Sequence, residues 1–159
     1  PAVEAGARDA TEKGPLGFPV VDVKVTLTYG LHHPVDSSEM AFRIAGRQGT
    51  RDALKSAGPV LLQPIFSIAI HAPAIFTGAL GPIVSSHHGQ VLGFDADPDA
   101  KGWEVFRAMI PGGELPAFAN DVRAATQGVG HFDAGFDHYE ELHGKVADRI
   151  VQERAKEPA

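Results

Sequence analysis

Cysteine is absent from the 159 residues, which excludes disulfides and cysteine–zinc sites. No apolar run reaches membrane-spanning length. The best stretch, Pro64 to Leu80, is broken by Ser67, His71, Pro73 and Gly78, and a span needs roughly 18–20 residues. No basic, apolar, small-residue sequence of signal type opens the chain. Positive charge is scarce: 14 Lys and Arg against 20 Asp and Glu give −6, which argues against a generic binder of phosphate backbones. No G-x-x-x-x-G-K-[ST], G-x-S-x-G or H-E-x-x-H motif occurs, so no catalytic machinery is recognisable. Gly112-Gly113 reads as a strand-to-helix turn.

What is present is enough for a folded core, with 43% hydrophobic residues. Charge divides unevenly. Residues 1–63 carry seven basic and seven acidic side chains, and residues 64–159 carry seven basic and thirteen acidic, which suggests two units with different surfaces.

Along the first part, Val3, Ala7 and Ala10 predict a short helix stopped by Gly14-Pro15. Val21, Val23, Val25 and Leu27 alternate with polar residues and predict a strand within Phe18 to Thr28, one face buried. Tyr29 to Pro34 reads as an exposed loop. Asp36-Ser37-Ser38-Glu39 is a helix-start signal, and the helix runs to about Ala57 before Gly58-Pro59. Phe42, Ala45, Gly46, Gly49, Ala53 and Ala57 share one side of it, the glycines suggesting close packing. Arg43, Arg47, Arg51 and Lys55 form a basic stripe on roughly the other side, with Met40, Ile44 and Leu54 nearby.

After a junction at Pro59 to Pro64 the order is strand, helix, strand, strand, helix, strand. Phe66, Ile68 and Ile70 alternate, and Ile75 to Ser86 is helix-like with Pro82 expected to kink or shorten it. Gln90 to Phe94 and Trp103 to Ile110 flank an Asp-, Pro- and Gly-rich turn. Leu115, Phe118, Val122 and Ala125 form an amphipathic helix ended by Gly128, and Phe132, Ala134 and Phe136 a last strand. A final helix begins after Gly144. The βαββαβ order is the split ferredoxin-like arrangement.

Eight histidines invite a metal reading through His32-His33, His87-His88, and His131, His138 and His143. Adjacent loop histidines rarely converge on one ion, and His131 and His138 face opposite sides of a strand. No metal site is expected. Asp95, Asp97 and Asp99 begin like a calcium loop, but Ala100 and Phe106 stand where the glycine and the glutamate are required.

Three stretches together resemble bacterial elongation factor G: Gly14-Pro15-Leu16-Gly17-Phe18-Pro19-Val20-Val21-Asp22-Val23-Lys24-Val25-Thr26-Leu27; Val35-Asp36-Ser37-Ser38-Glu39-Met40-Ala41-Phe42 with Pro59-Val60-Leu61-Leu62-Gln63-Pro64-Ile65; and Thr126-Gln127-Gly128 with Phe136-Asp137-His138-Tyr139-Glu140-Glu141. They fall in family order and spacing. The resemblance implies an α+β chain: residues 1–62 are most of the fourth domain, a partial ribosomal-protein-S5-domain-2-like unit without its initial strands. Residues 63–143 are the ferredoxin-like fifth domain, and residues 144–159 a C-terminal helix and tail. The GTP-binding domain would lie upstream, so GTP and Mg²⁺ are implied for the parent and no cofactor for these residues. The implied role is cytoplasmic: the ribosome-binding end of a translational GTPase that promotes tRNA–mRNA translocation at the decoding centre, without DNA or membrane partners.

The family's loop-tip histidine maps to His33. With His32 beside it, a polar ring on a short loop can stack on or bond to single-stranded RNA. Arg43, Arg47, Arg51 and Lys55 are candidate phosphate contacts, and His87 and His88 stand where many members carry a basic run. Val129 replaces the usual arginine after Thr-Gln-Gly. Histidine is largely neutral near pH 7, so weaker or altered RNA contact is expected. This leaves open a divergent paralogue with a recycling or protection role, and a ferredoxin-like protein-interaction module.

Overall fold

The structure is a computed structural model that describes residues 1–156; the end of the expected tail, residues 157–159, lies outside them. In chain order the elements are α1 (Ala2–Glu12), α2 (Glu39–Ser56), β1 (Leu61–Pro73), α3 (Ala74–Ser86), β2 (Gln90–Ala96), β3 (Trp103–Pro111), a single 3-10 turn (Gly112–Glu114), α4 (Leu115–Ala125), β4 (His131–Leu142) and α5 (Gly144–Lys156). Contacts divide the chain into two units. One holds Pro1–Leu61 and the described residues from Leu142 to Lys156, and the other holds Leu62–Glu141.

The second unit is an α+β fold built on one four-stranded sheet of order β2-β3-β1-β4. Both β1 and β2 pair antiparallel with β3, with Ile68 opposite Ala108 and Gln90 opposite Met109. This is the ferredoxin-like order read from the sequence. Alternate residues Ile68, Ile70 and Ala72 of β1 and Phe106, Ala108 and Ile110 of β3 are buried together with Leu80 and Val84 of α3 and Phe118 and Val122 of α4. Period two on the strands and spacings of four on the helices thus bring one apolar face of each into a single core. Helix α3 continues through Pro82, so the proline does not shorten it. Beyond α4, Gln127 and Gly128 take positive φ, the Gly128 N–H reaches the Arg123 carbonyl at 2.8 Å, and buried Thr126 accepts the Gly130 N–H at 3.1 Å. The Thr-Gln-Gly run is a helix stop whose glycine supplies the left-handed turn.

In the first unit α1 packs on α2 across two glycines. A Cβ at Gly6 would collide with the Arg43 carbonyl, and one at Gly46 would lie 2.6 Å from the Val3 carbonyl oxygen. The Ser38 hydroxyl caps α2 by accepting the Ala41 N–H at 3.1 Å, and Gly58 ends it at φ +70°. Two expectations need correction. The buried positions of α2 are Thr50 and Leu54, in line with Gly46; Gly49 faces open space, so the packed side is rotated toward the basic stripe. The segment Phe18 to Thr28 forms no strand, and its Val21, Val23, Val25 and Leu27 are exposed. A strand exists only where a neighbouring strand accepts from its N–H groups and donates to its C=O groups; the Val20 N–H reaches the Thr11 carbonyl at 2.8 Å, but no described backbone pairs with residues 21–28.

Helix α5 belongs to this unit. Arg154 donates from Nε to the Gly17 carbonyl at 3.1 Å and lies over the Phe18 ring at 5.4 Å.

Candidate nucleic-acid interface

His33 occupies the tip of an exposed turn that its own neighbours make rigid. Its backbone N–H donates to Ser37 Oγ at 2.7 Å, and the Ser37 N–H returns to the His33 carbonyl at 3.0 Å. Nδ1 of the ring lies 3.2 Å from Asp36 Oδ2 and 3.4 Å from the Val35 nitrogen. One nitrogen cannot donate to Asp36 and accept from Val35 at once. The longer Val35 contact sits at the edge of hydrogen-bonding distance. The ring itself remains exposed. His32 stacks on Phe42 of α2, ring centroids 6.3 Å apart and 12° between planes, which anchors the loop to the helix.

The basic stripe of α2 is not uniform. Arg43 forms a two-pronged pair with Asp9 of α1, Nε–Oδ2 2.7 Å and Nη2–Oδ1 2.9 Å. The fork lowers the Asp9 carboxyl below its usual range, first through the hydrogen bond, and raises Arg43 in turn. Arg43 is therefore engaged as a fastener between helices. Arg47, Arg51 and Lys55 are exposed and have no ion pair among the described residues. They remain the cations able to face a phosphate.

His87 and His88 belong to the other unit and differ from each other. His88 is exposed in the left-handed region, φ +56°. His87 is 8% exposed and both ring nitrogens are taken, Nδ1 by Glu114 Oε2 at 2.9 Å and Nε2 by Asp121 Oδ2 at 2.8 Å. Its edge meets the Phe118 ring at 5.7 Å. Two carboxylates on two nitrogens require both N–H groups, so Glu114, then Asp121, raise His87 above the ordinary histidine range. The ring ties the end of α3 to α4 and offers no nitrogen to a partner. It is a structural histidine, contrary to the sequence expectation that placed it with His88.

No described group of three or more His, Cys, Asp or Glu could hold a metal ion. Within the Leu62–Glu141 unit, neither strand-to-helix junction has the glycine-rich cradle of a nucleoside triphosphate site. Pro73–Ala74 carries no glycine, and the Gly112–Glu114 turn presents a carboxylate already bonded to His87. No described helix is long and apolar enough to cross a membrane.

One cluster escaped the sequence reading. His71 of β1 bonds Asp97 Oδ2 through Nδ1 at 2.8 Å and stacks on His131 of β4 at 5.0 Å with 3° between planes; Trp103 of β3 leans on His131 at 6.3 Å. The register Pro73 to Trp103 sets His71 and Trp103 diagonally on the same sheet face, a relation no local pattern reveals. The His71 hydrogen bond holds Asp97 below its usual carboxylate range.

Two family models match in succession: elongation factor G, domain IV, over residues 1–58, and elongation factor G C-terminus over residues 60–150. Among curated proteins, an elongation factor G-like protein of Synechocystis sp. is 43% identical over 150 residues, covering 94% of this chain and 22% of that one. A crystal structure from Thermus thermophilus superposes with a TM-score of 0.90 at 35% identity, covering 99% of this chain and 24% of the other. The chain thus spans less than a quarter of the length of either relative.

Proposed function

The chain belongs to the elongation factor G family, and on that premise we propose that it is the ribosome-binding end of a cytoplasmic translational GTPase that promotes tRNA–mRNA translocation. The observation that carries the reading is His33, an exposed ring on a turn fastened by Ser37 and Asp36 and braced through His32 on Phe42. A rigid polar tip loses little freedom on meeting RNA, so its contacts are not spent on ordering the loop. Arg47, Arg51 and Lys55 extend the same unit with free positive charge, and His88 is the exposed candidate of the other unit. These residues supply differential binding: contacts made better after tRNA movement bias the ribosome forward. GTP and its Mg²⁺ would be bound and hydrolysed by other parts of the parent factor.

The test is His33→Ala in the full-length parent, read by mRNA movement on purified ribosomes. Translocation should slow by at least about tenfold, or about 1.4 kcal/mol of barrier, while ribosome-stimulated GTP hydrolysis continues. Unchanged movement would remove His33 from the mechanism.

A second reading has its own support. Residues 62–141 carry three basic and ten acidic side chains, a balance of −7. Such a surface weakens phosphate contact and fits a divergent factor that binds the ribosome for recycling or protection. A parent that binds ribosomes and hydrolyses GTP but moves no mRNA, even unmutated, would favour it over translocation.

A further inference from the structure

The face of the sheet away from the helices carries an open pocket of about 310 Å³ lined by His71, Asp97, Asp99, Ala100, Trp103 and His131. Its walls are aromatic: the stacked imidazoles of His71 and His131 with the indole of Trp103 against them. Its floor is fixed. Asp97, with a side chain 7% exposed, is held by His71 Nδ1 and by the Asp99 N–H at 2.9 Å, and its own N–H bonds the Trp103 carbonyl at 2.9 Å. At the rim the Asp99 carboxylate has no hydrogen bond or ion pair among the described residues. Aromatic walls with one buried and one unpaired carboxylate form a receptor for a cation that also has a flat face. Two further observations narrow the occupant. The surrounding unit balances at −7, which repels a phosphate chain and attracts a basic one. The volume is at the small end of ligand pockets, about 300–1,000 Å³, and suits a single side chain better than a nucleotide.

We propose that this pocket receives an arginine side chain from a basic polypeptide segment, its guanidinium stacked on the Trp103–His131 wall and paired with Asp99. The parallel imidazoles, 5.0 Å apart, do not converge on one point as metal ligands would.

Trp103 is the chain's single tryptophan, so fluorescence excited at the red edge, where the two tyrosines do not absorb, reads this pocket. The full chain is titrated with a short arginine-rich peptide, with the same peptide bearing citrulline, and with a single-stranded oligonucleotide. The arginine peptide should give a saturable shift and the citrulline peptide none, because citrulline keeps the shape and loses the charge. Asp99→Asn should weaken binding about three- to tenfold, while Asp148→Asn, which removes the same charge from α5, should leave it unchanged. A response equal for citrulline, an affinity indifferent to Asp99→Asn, saturation by the oligonucleotide alone, or no saturable shift at all would each overturn the assignment.

Discussion

Two stretches of this chain carry the same alternating apolar pattern and meet opposite fates. In β1, Ile68 and Ile70 are 1% and 0% exposed; in the segment before the His33 turn, Val23 and Val25 are 42% and 50% exposed. Composition does not separate them, since both place β-branched residues at every second position. The difference is pairing. β1 lies between β3 and β4 with two helices beneath it, while no described residue bonds to the backbone of residues 21–29. Alternation states which face would be buried, and a partner decides whether it is.

The largest test of that contrast is in the buried unit. Phe118 is fully enclosed, with ring contacts to His87 and Phe132 at 5.7 and 5.5 Å. Phe118→Ala should destabilise the Leu62–Glu141 unit by about 3–5 kcal/mol, from lost transfer energy plus the cavity left behind. Chemical denaturation followed at Trp103 measures it. A loss below about 1 kcal/mol, on the scale of about 0.5 kcal/mol typical of surface sites, would mean the core is not packed as described.

The first unit owes its order to a helix pair rather than a sheet, which two glycine substitutions can expose. At Gly6 an added methyl meets the Arg43 carbonyl backbone, which cannot rotate away. Gly6→Ala should therefore cost about 1–3 kcal/mol through overpacking despite alanine's better helix propensity. Gly49 on α2 faces open space, so Gly49→Ala should instead gain up to about 1 kcal/mol. Hydrogen exchange in α1 and α2 reads both. Equal signs would show that the α1–α2 seam lies elsewhere.

A third effect is linked to pH and confined to the buried unit. Glu114 and Asp121 raise His87, so the folded state holds this proton more tightly than the unfolded chain does. The contribution is complete below the unfolded value of about 6.5 and is lost as pH rises through the higher folded value. Both carboxylates are partly exposed, so the pair of bonds is worth about 1 kcal/mol after screening. Denaturation midpoints should fall from slightly acid to slightly alkaline pH, and His87→Gln should flatten that fall. His138, raised by Glu140 and Asp137 on the exposed strand β4, titrates in the same direction and should survive as the smaller residual slope.

Much of this was legible in the residues themselves. The order of strands and helices from Phe66 onward followed from periodicity because each apolar face found a partner, and the Ser38 cap and the Gly58 and Gly128 stops are local chemistry. The unread parts are long-range. The packed face of α2 turns toward the basic stripe because Gly46 admits Val3 and because Asp9, 34 residues earlier, captures Arg43. His87 and His88 look alike in sequence, and only the arrival of Glu114 from the 3-10 turn and Asp121 from α4 makes the first structural. The His71–Trp103–His131 wall likewise depends on strand register. The candidate tip was legible as a loop histidine, but its bracing by Ser37 and by His32 on Phe42 was not.

The smallest expected effect probes the exposed alternating segment directly. If Val25 stands unpaired at 50% exposure, Val25→Lys removes no packed contact and should change stability by no more than about 0.5 kcal/mol in either direction. An unpaired apolar edge is also a template for a second chain, and a lysine there opposes such pairing. Sedimentation at rising concentration should therefore show less self-association for Val25→Lys than for the unaltered chain, with little change in the denaturation midpoint. A loss of several kcal/mol would mean that residues 21–29 are paired in solution and buried as β1 is, and the contrast between the two stretches would disappear.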